Sequence, residues 1–126
     1  MKILVINSGS ATLKFKIFEL KTLKEEIIGI IERIGEEDSF LELKENGSRN
    51  FFRQNFPGGV KDHKAAFEEM AKSLKKFLPD IGYIGHRVVH GGEEFTSTTR
   101  LNHLVINKLA KYNKLAPLHN PVNLVC

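Results

Sequence analysis

Cysteine is almost missing from this chain: Cys126 is the only one in 126 residues, and it stands last. One thiol cannot build a disulfide framework, so a reducing compartment is expected. Long apolar runs are missing too. The opening run, Ile3-Leu4-Val5-Ile6, is four residues long before Asn7 and too short for a signal peptide. No stretch approaches the roughly 20 apolar residues of a membrane-spanning helix. Charge of a single sign is also lacking. The 19 Lys and Arg are scattered among 15 Asp and Glu, giving a net charge of +4 without a basic tail. That balance suits a small anion and makes a poor case for nucleic acid. The expectation is a cytoplasmic, soluble protein with neither nucleic acid nor membrane as partner.

Two phosphate-binding signatures are absent as well: the Gly-x-x-x-x-Gly-Lys-Ser/Thr spacing of a P-loop, and the three spaced glycines of a dinucleotide fingerprint. Both lead from a strand into a helix. Here a second strand follows the first, so any phosphate site belongs to another fold. What is present is ordinary: 41% hydrophobic and 27% charged residues, enough for one domain with a core.

The first eighteen residues organise the rest. Ile3-Leu4-Val5-Ile6 reads as a central strand buried on both faces. Asn7-Ser8-Gly9-Ser10-Ala11-Thr12 reads as a turn, and Leu13-Lys14-Phe15-Lys16-Ile17 alternates as a half-exposed strand does. The hairpin tip thus carries Asn7, Ser8, Ser10, Thr12 and Lys14. Small side chains admit an anion to backbone amides, hydroxyls add donors and a lysine adds charge, so phosphate is a natural guest. An ordinary polar turn would look the same.

Further along, Glu26 to Ile34 reads as a third strand of an antiparallel meander. Residues 40–44 and 50–56 flank Asn46-Gly47, a hairpin-turn signal. Asp62 is a candidate N-cap for a helix from His63 to Leu78, stopped by Pro79. Its stripe is Phe67, Met70, Ala71, Leu74, Phe77 and Leu78, with His63 solvated in the first turn. A strand after this helix, Ile81 onward, implies a crossover and parallel pairing. It ends in Gly85-His86-Arg87-Val88-Val89-His90-Gly91-Gly92. A buried arginine there needs an anion: a bidentate carboxylate ligand, or a plain ion pair with Glu93 or Glu94. Only His86 and His90 share a strand face, with no third ligand nearby, which argues against a histidine zinc site. Asn102 can cap a helix to Tyr112. Asn120-Pro121 can open another, placing His119 beside a helix N-terminus suited to an anion. That last helix has barely begun at Cys126, which suggests a longer parent protein.

Three blocks, Asn7–Phe15, Gly85–Gly92 and Leu115-Ala116-Pro117-Leu118-His119-Asn120-Pro121, resemble in order and separation the N-terminal part of the acetate kinase family. The resemblance covers essentially the whole chain. It implies an α/β fold, the ribonuclease-H-like N-terminal lobe of the actin-like ATPase superfamily, with a mixed sheet and flanking helices. Residues 1–126 would form that lobe, truncated, with the second, nucleotide-binding lobe absent and little activity alone. The implied reaction is reversible phosphoryl transfer from ATP to acetate, giving acetyl phosphate and ADP with Mg²⁺ (or Mn²⁺), in a homodimer when full length. Carried over by position, Asn7 would lie near the metal, and Ser10, Thr12 and Lys14 would bind ATP phosphates. Arg87 would hold the substrate carboxylate, Val89 and Leu118 its methyl group, and His119 would donate to the transferring phosphoryl. Ala11 lacks the hydroxyl usual in the family and is given no contact. Propionate or butyrate kinase chemistry is the near alternative. A non-catalytic module binding phosphate or a partner protein is the distant one.

Acetate is ionised at neutral pH and needs no base. The difficulty is bringing two anions into line, which calls for cations and positioning.

Overall fold

Alternation, rather than continuous hydrophobicity, governs the first strand. In β1 (Lys2–Ser8), Leu4, Ile6 and Ser8 are buried, whereas Val5 is 36% exposed. This corrects the expectation of a strand buried on both faces: the helix packs on one face only. The computed structural model describes residues 1–49, 51–88 and 97–110.

β2 (Leu13–Glu19) runs antiparallel to β1 with Ser8 opposite Leu13, and β3 (Glu25–Glu32), β4 (Phe40–Glu45) and β5 (Phe51–Asn55) continue the meander. β6 (Ile81–His86) returns on the far side of β1 and pairs with it in parallel, as a helical crossover requires. The order is β5-β4-β3-β2-β1-β6, a mixed sheet with β1 flanked on both sides. Asn46 and Gly47 make the predicted turn before β5, with Gly47 at φ +77°.

The core lies between one sheet face and α1 (His63–Ser73). Leu4, Ile6, Leu13, Phe15, Ile17, Ile27, Ile31 and Leu41 from the strands meet Ala66 and Met70 of α1, with Leu74 just beyond it. Phe15 can lie flat across β3 because its cross-strand partner is Gly29; a Cβ there would fall 2.1 Å from the ring.

Asp62 caps α1 as predicted, its carboxylate accepting from the Ala65 amide at 2.9 Å. The helix ends earlier than the expected Leu78. Ser73 Oγ donates to the Met70 carbonyl at 2.7 Å, competing with the helical ladder, and Leu78–Asp80 tightens into a 3-10 turn around Pro79. Asn102 caps α2 (His103–Ala110), accepting from the Val105 amide at 2.8 Å; the predicted end at Tyr112 lies outside the described residues.

Ser39, 1% exposed, ties the loops beneath the hairpin. Its hydroxyl accepts from the Val60 amide at 2.9 Å and lies 2.7 Å from the Arg33 carbonyl and 2.9 Å from that of Glu36. Among the described residues no helix is long and apolar enough to cross a membrane.

Two substitutions test this packing. Gly29→Ala should lower unfolding free energy by about 1–3 kcal/mol or more through overpacking against Phe15. Ser39→Ala should lower it by about 1–3 kcal/mol by orphaning the buried Val60 amide. Urea unfolding of each variant checks both; unchanged midpoints would contradict these contacts.

Candidate functional site at the hairpin tip

Strand pairing decides which predicted residues meet. Partners across a ladder share a sheet face, and successive residues alternate. Asn7 pairs with Lys14, and Ile6 with His86. The Arg87 amide donates to the Ile6 carbonyl at 3.2 Å and carries the parallel ladder one residue further. Arg87, Asn7 and Lys14 therefore form a row across three strands, on the face opposite the core. Strand spacing puts the outer two about 10 Å apart at the backbone, within reach of a common small anion. Arg87 and Lys14 are exposed, and neither meets a carboxylate among the described residues. The expectation of a buried Arg87 is thus corrected: among the described residues Arg87 is exposed, β6 is the edge of the sheet and no element covers the face that carries the row.

The tip itself, residues 9–12, is held from behind. The Gly9 amide donates to the Thr12 carbonyl at 2.9 Å, and the Ile34 amide donates to the Ala11 carbonyl at 3.0 Å. The Thr12 hydroxyl packs so closely over Gly9 that a Cβ there would fall 2.4 Å from it. Thr12 is half-buried and Ser10 exposed. Asn7, Ser10, Thr12, Lys14 and Arg87 are thus brought to one end of the sheet. Val89, Leu118 and His119 lie outside the described residues.

One residue departs from its sequence pattern. His63 was expected in solvent, but it is 8% exposed at the start of α1, with Nε2 2.8 Å from the Gly9 carbonyl and 3.3 Å from that of Thr12. Both neighbours are acceptors, so Nε2 carries the proton and donates. No local signal announced this, since Asp62-His63-Lys64 reads as a polar helix start and only the fold brings α1 under the hairpin.

His86 lies on the core face. Nδ1–H donates to the Arg87 carbonyl at 3.1 Å, and the buried Nε2 has no partner among the described residues. Burial pushes its pKa below the ordinary histidine value of 6.5. Among the described residues no group of three or more His, Cys, Asp or Glu could hold a metal. A groove of about 950 Å³ between β5 and α1, walled by Phe51, Phe52, Phe77 and Lys76, contains none of the row.

Because folding disfavours His86 protonation, the unfolded chain takes up a proton first as pH falls below about 6.5. Stability attributable to this residue is fully present above that value and lost as pH drops towards the lower folded pKa. A melting-temperature series from pH 7.5 to 5 should show a decline that His86→Gln flattens. An identical decline in the variant would refute the assignment.

A sequence model described as the Acetokinase family matches residues 2–126. Acetate kinases of Borreliella burgdorferi and Bacillus mycoides are 41% and 42% identical over 129 residues, covering 96% and 98% of this chain but 31% and 32% of theirs. The chain thus spans about a third of the length of the curated relatives it matches. Among solved structures, Porphyromonas gingivalis acetate kinase aligns with TM-score 0.88 at 34% identity, over 98% of this chain and 32% of that one. A propionate kinase from Francisella tularensis aligns with TM-score 0.87 at 32% identity, over 98% and 31%.

Proposed function

Since this chain belongs to the acetokinase family, we propose that it supplies the N-terminal lobe of an enzyme that transfers phosphoryl groups reversibly between ATP and acetate. The supporting observation is the row Arg87–Asn7–Lys14 beside the tip amides: two cations and a neutral amide on one open face. In this reading Arg87 grips the acetate carboxylate with its planar fork, and the tip, through Ser10, Thr12 and Lys14, takes the ATP phosphates. The two charges offset the repulsion between the anions as they approach in line. His119 then donates to the phosphoryl group in transit, and Val89 and Leu118 bound the methyl pocket.

Magnesium fits as a passenger on ATP, since Mg²⁺ keeps several waters and relies on substrate phosphates plus one or two protein oxygens. Asn7 supplies one neutral oxygen suited to that role; the ion would contribute neutralisation of phosphate charge. Cytoplasmic location and a homodimer of the complete enzyme belong to the same reading. A preference for propionate is the second reading, favoured by the likeness to the Francisella propionate kinase; relative rates with acetate, propionate and butyrate decide between them.

In the complete enzyme, Arg87→Ala should lower acetate kcat/KM by about 30- to 1,000-fold, the equivalent of about 2–4 kcal/mol for a lost charge-assisted pair. The KM for ATP should stay within about twofold. Steady-state kinetics with each substrate varied in turn checks this, and unaltered acetate kinetics would overturn the role given to Arg87.

A further inference from the structure

We propose that His63 is a positioning residue that turns the hairpin-tip amides towards the phosphate, an inference that rests on the phosphate-binding reading of the tip. A trans peptide unit is planar, with its N–H pointing opposite to its C=O. Holding a carbonyl on one side therefore aims the next residue's amide to the other. His63 Nε2–H holds the Gly9 carbonyl at 2.8 Å and the Thr12 carbonyl at 3.3 Å from the α1 side, and the Ile34 amide holds the Ala11 carbonyl at 3.0 Å. The Ser10 and Thr12 amides are turned away from those anchors, whereas Leu13 is already a ladder residue paired with Ser8 and Ile31. Among the described residues the Ser10 and Thr12 amides meet no backbone acceptor, the arrangement an anion-binding nest requires.

The anchor is well placed for the task. His63 is the first residue of α1, its backbone set by the Asp62 cap, and the residue is 8% exposed. It spans 54 residues of sequence to reach Gly9, so the tip orientation is tied to the helix-sheet packing and not to the turn alone. Preorganised amides bind an anion without first paying the entropy of alignment.

The test uses the 126-residue chain, labelled with ¹⁵N, titrated with inorganic tripolyphosphate, and the variants His63→Leu and His63→Gln. Gln can donate from its amide nitrogen near the Nε2 position, while Leu fills the space without donating. Leu should weaken tripolyphosphate binding at the tip by about tenfold and Gln by less than about threefold, though both lower the melting temperature. Binding that follows melting temperature and ignores the donor would overturn the proposal, as would wild-type affinity in His63→Leu. If the wild-type chain binds no tripolyphosphate, the phosphate reading fails, and His63 is judged on the hairpin alone. The amide shifts of Ser10, Thr12 and Leu13 should then move in His63→Leu and recover in His63→Gln; shifts unmoved in His63→Leu sink the tether. Should His63→Leu not fold, long-range ¹⁵N correlation of the wild-type ring decides. A protonated, slowly exchanging Nε2 supports the tether, and an unprotonated Nε2 refutes it.

Discussion

Hydrogen bonding on both edges of β1 is the constraint from which the candidate site follows. An antiparallel neighbour on one side and a parallel neighbour on the other fix two registers at once: Asn7 against Lys14, and Ile6 against His86. With those registers set, strand alternation leaves no freedom over which face each side chain takes. Arg87 and Lys14 must share the open face, while Leu4, Ile6, Leu13 and Phe15 must share the buried one. A slip of one residue in the β1–β2 pairing would turn Lys14 towards the core and Leu13 and Phe15 away from it, so hydrophobic burial itself guards that part of the polar row.

The tip depends on this frame in a second way. A four-residue connection of small side chains has little packing of its own to hold a shape. Besides the Gly9 amide within the tip, its carbonyls are held by groups from elsewhere: Ile34 in the loop after β3 and His63 at the start of α1. Beneath them Ser39 and Val60 join the loops that carry both anchors, and the Gly35 amide donates to the Val60 carbonyl at 2.8 Å. Rigidity at the tip is thereby borrowed from the core, which is how a loop of glycine, serine, alanine and threonine can present amides in a defined direction.

The open face explains the placement of the cations. Tyr83 at 59%, Ile28 at 38% and Val5 at 36% exposure lie on the same side as the row. Arg87 and Lys14 stand at the margin of an apolar surface rather than inside a cavity. The relatives that this chain matches are about three times its length, and this face is the one the described helix α1 leaves uncovered.

Local signals made the elements legible. Alternation in Leu13–Ile17, the Asn46-Gly47 turn, Asp62 as cap and the crossover into Ile81 each depend on neighbours in sequence, and each appears in the fold. The three motif blocks likewise carried the family, because their order and spacing are properties of the chain alone. Burial of β1, exposure of Arg87 and the contact of His63 with the hairpin were not legible. Whether a strand is covered on one face or two depends on which other elements arrive, and a histidine's partners 51 and 54 residues away depend on how helix and sheet pack. Sequence by itself determined which segments became strands and which polar residues stood at their ends. Tertiary structure alone decided which of those residues face one another, because pairing register and packing are relations between distant segments that no local pattern encodes.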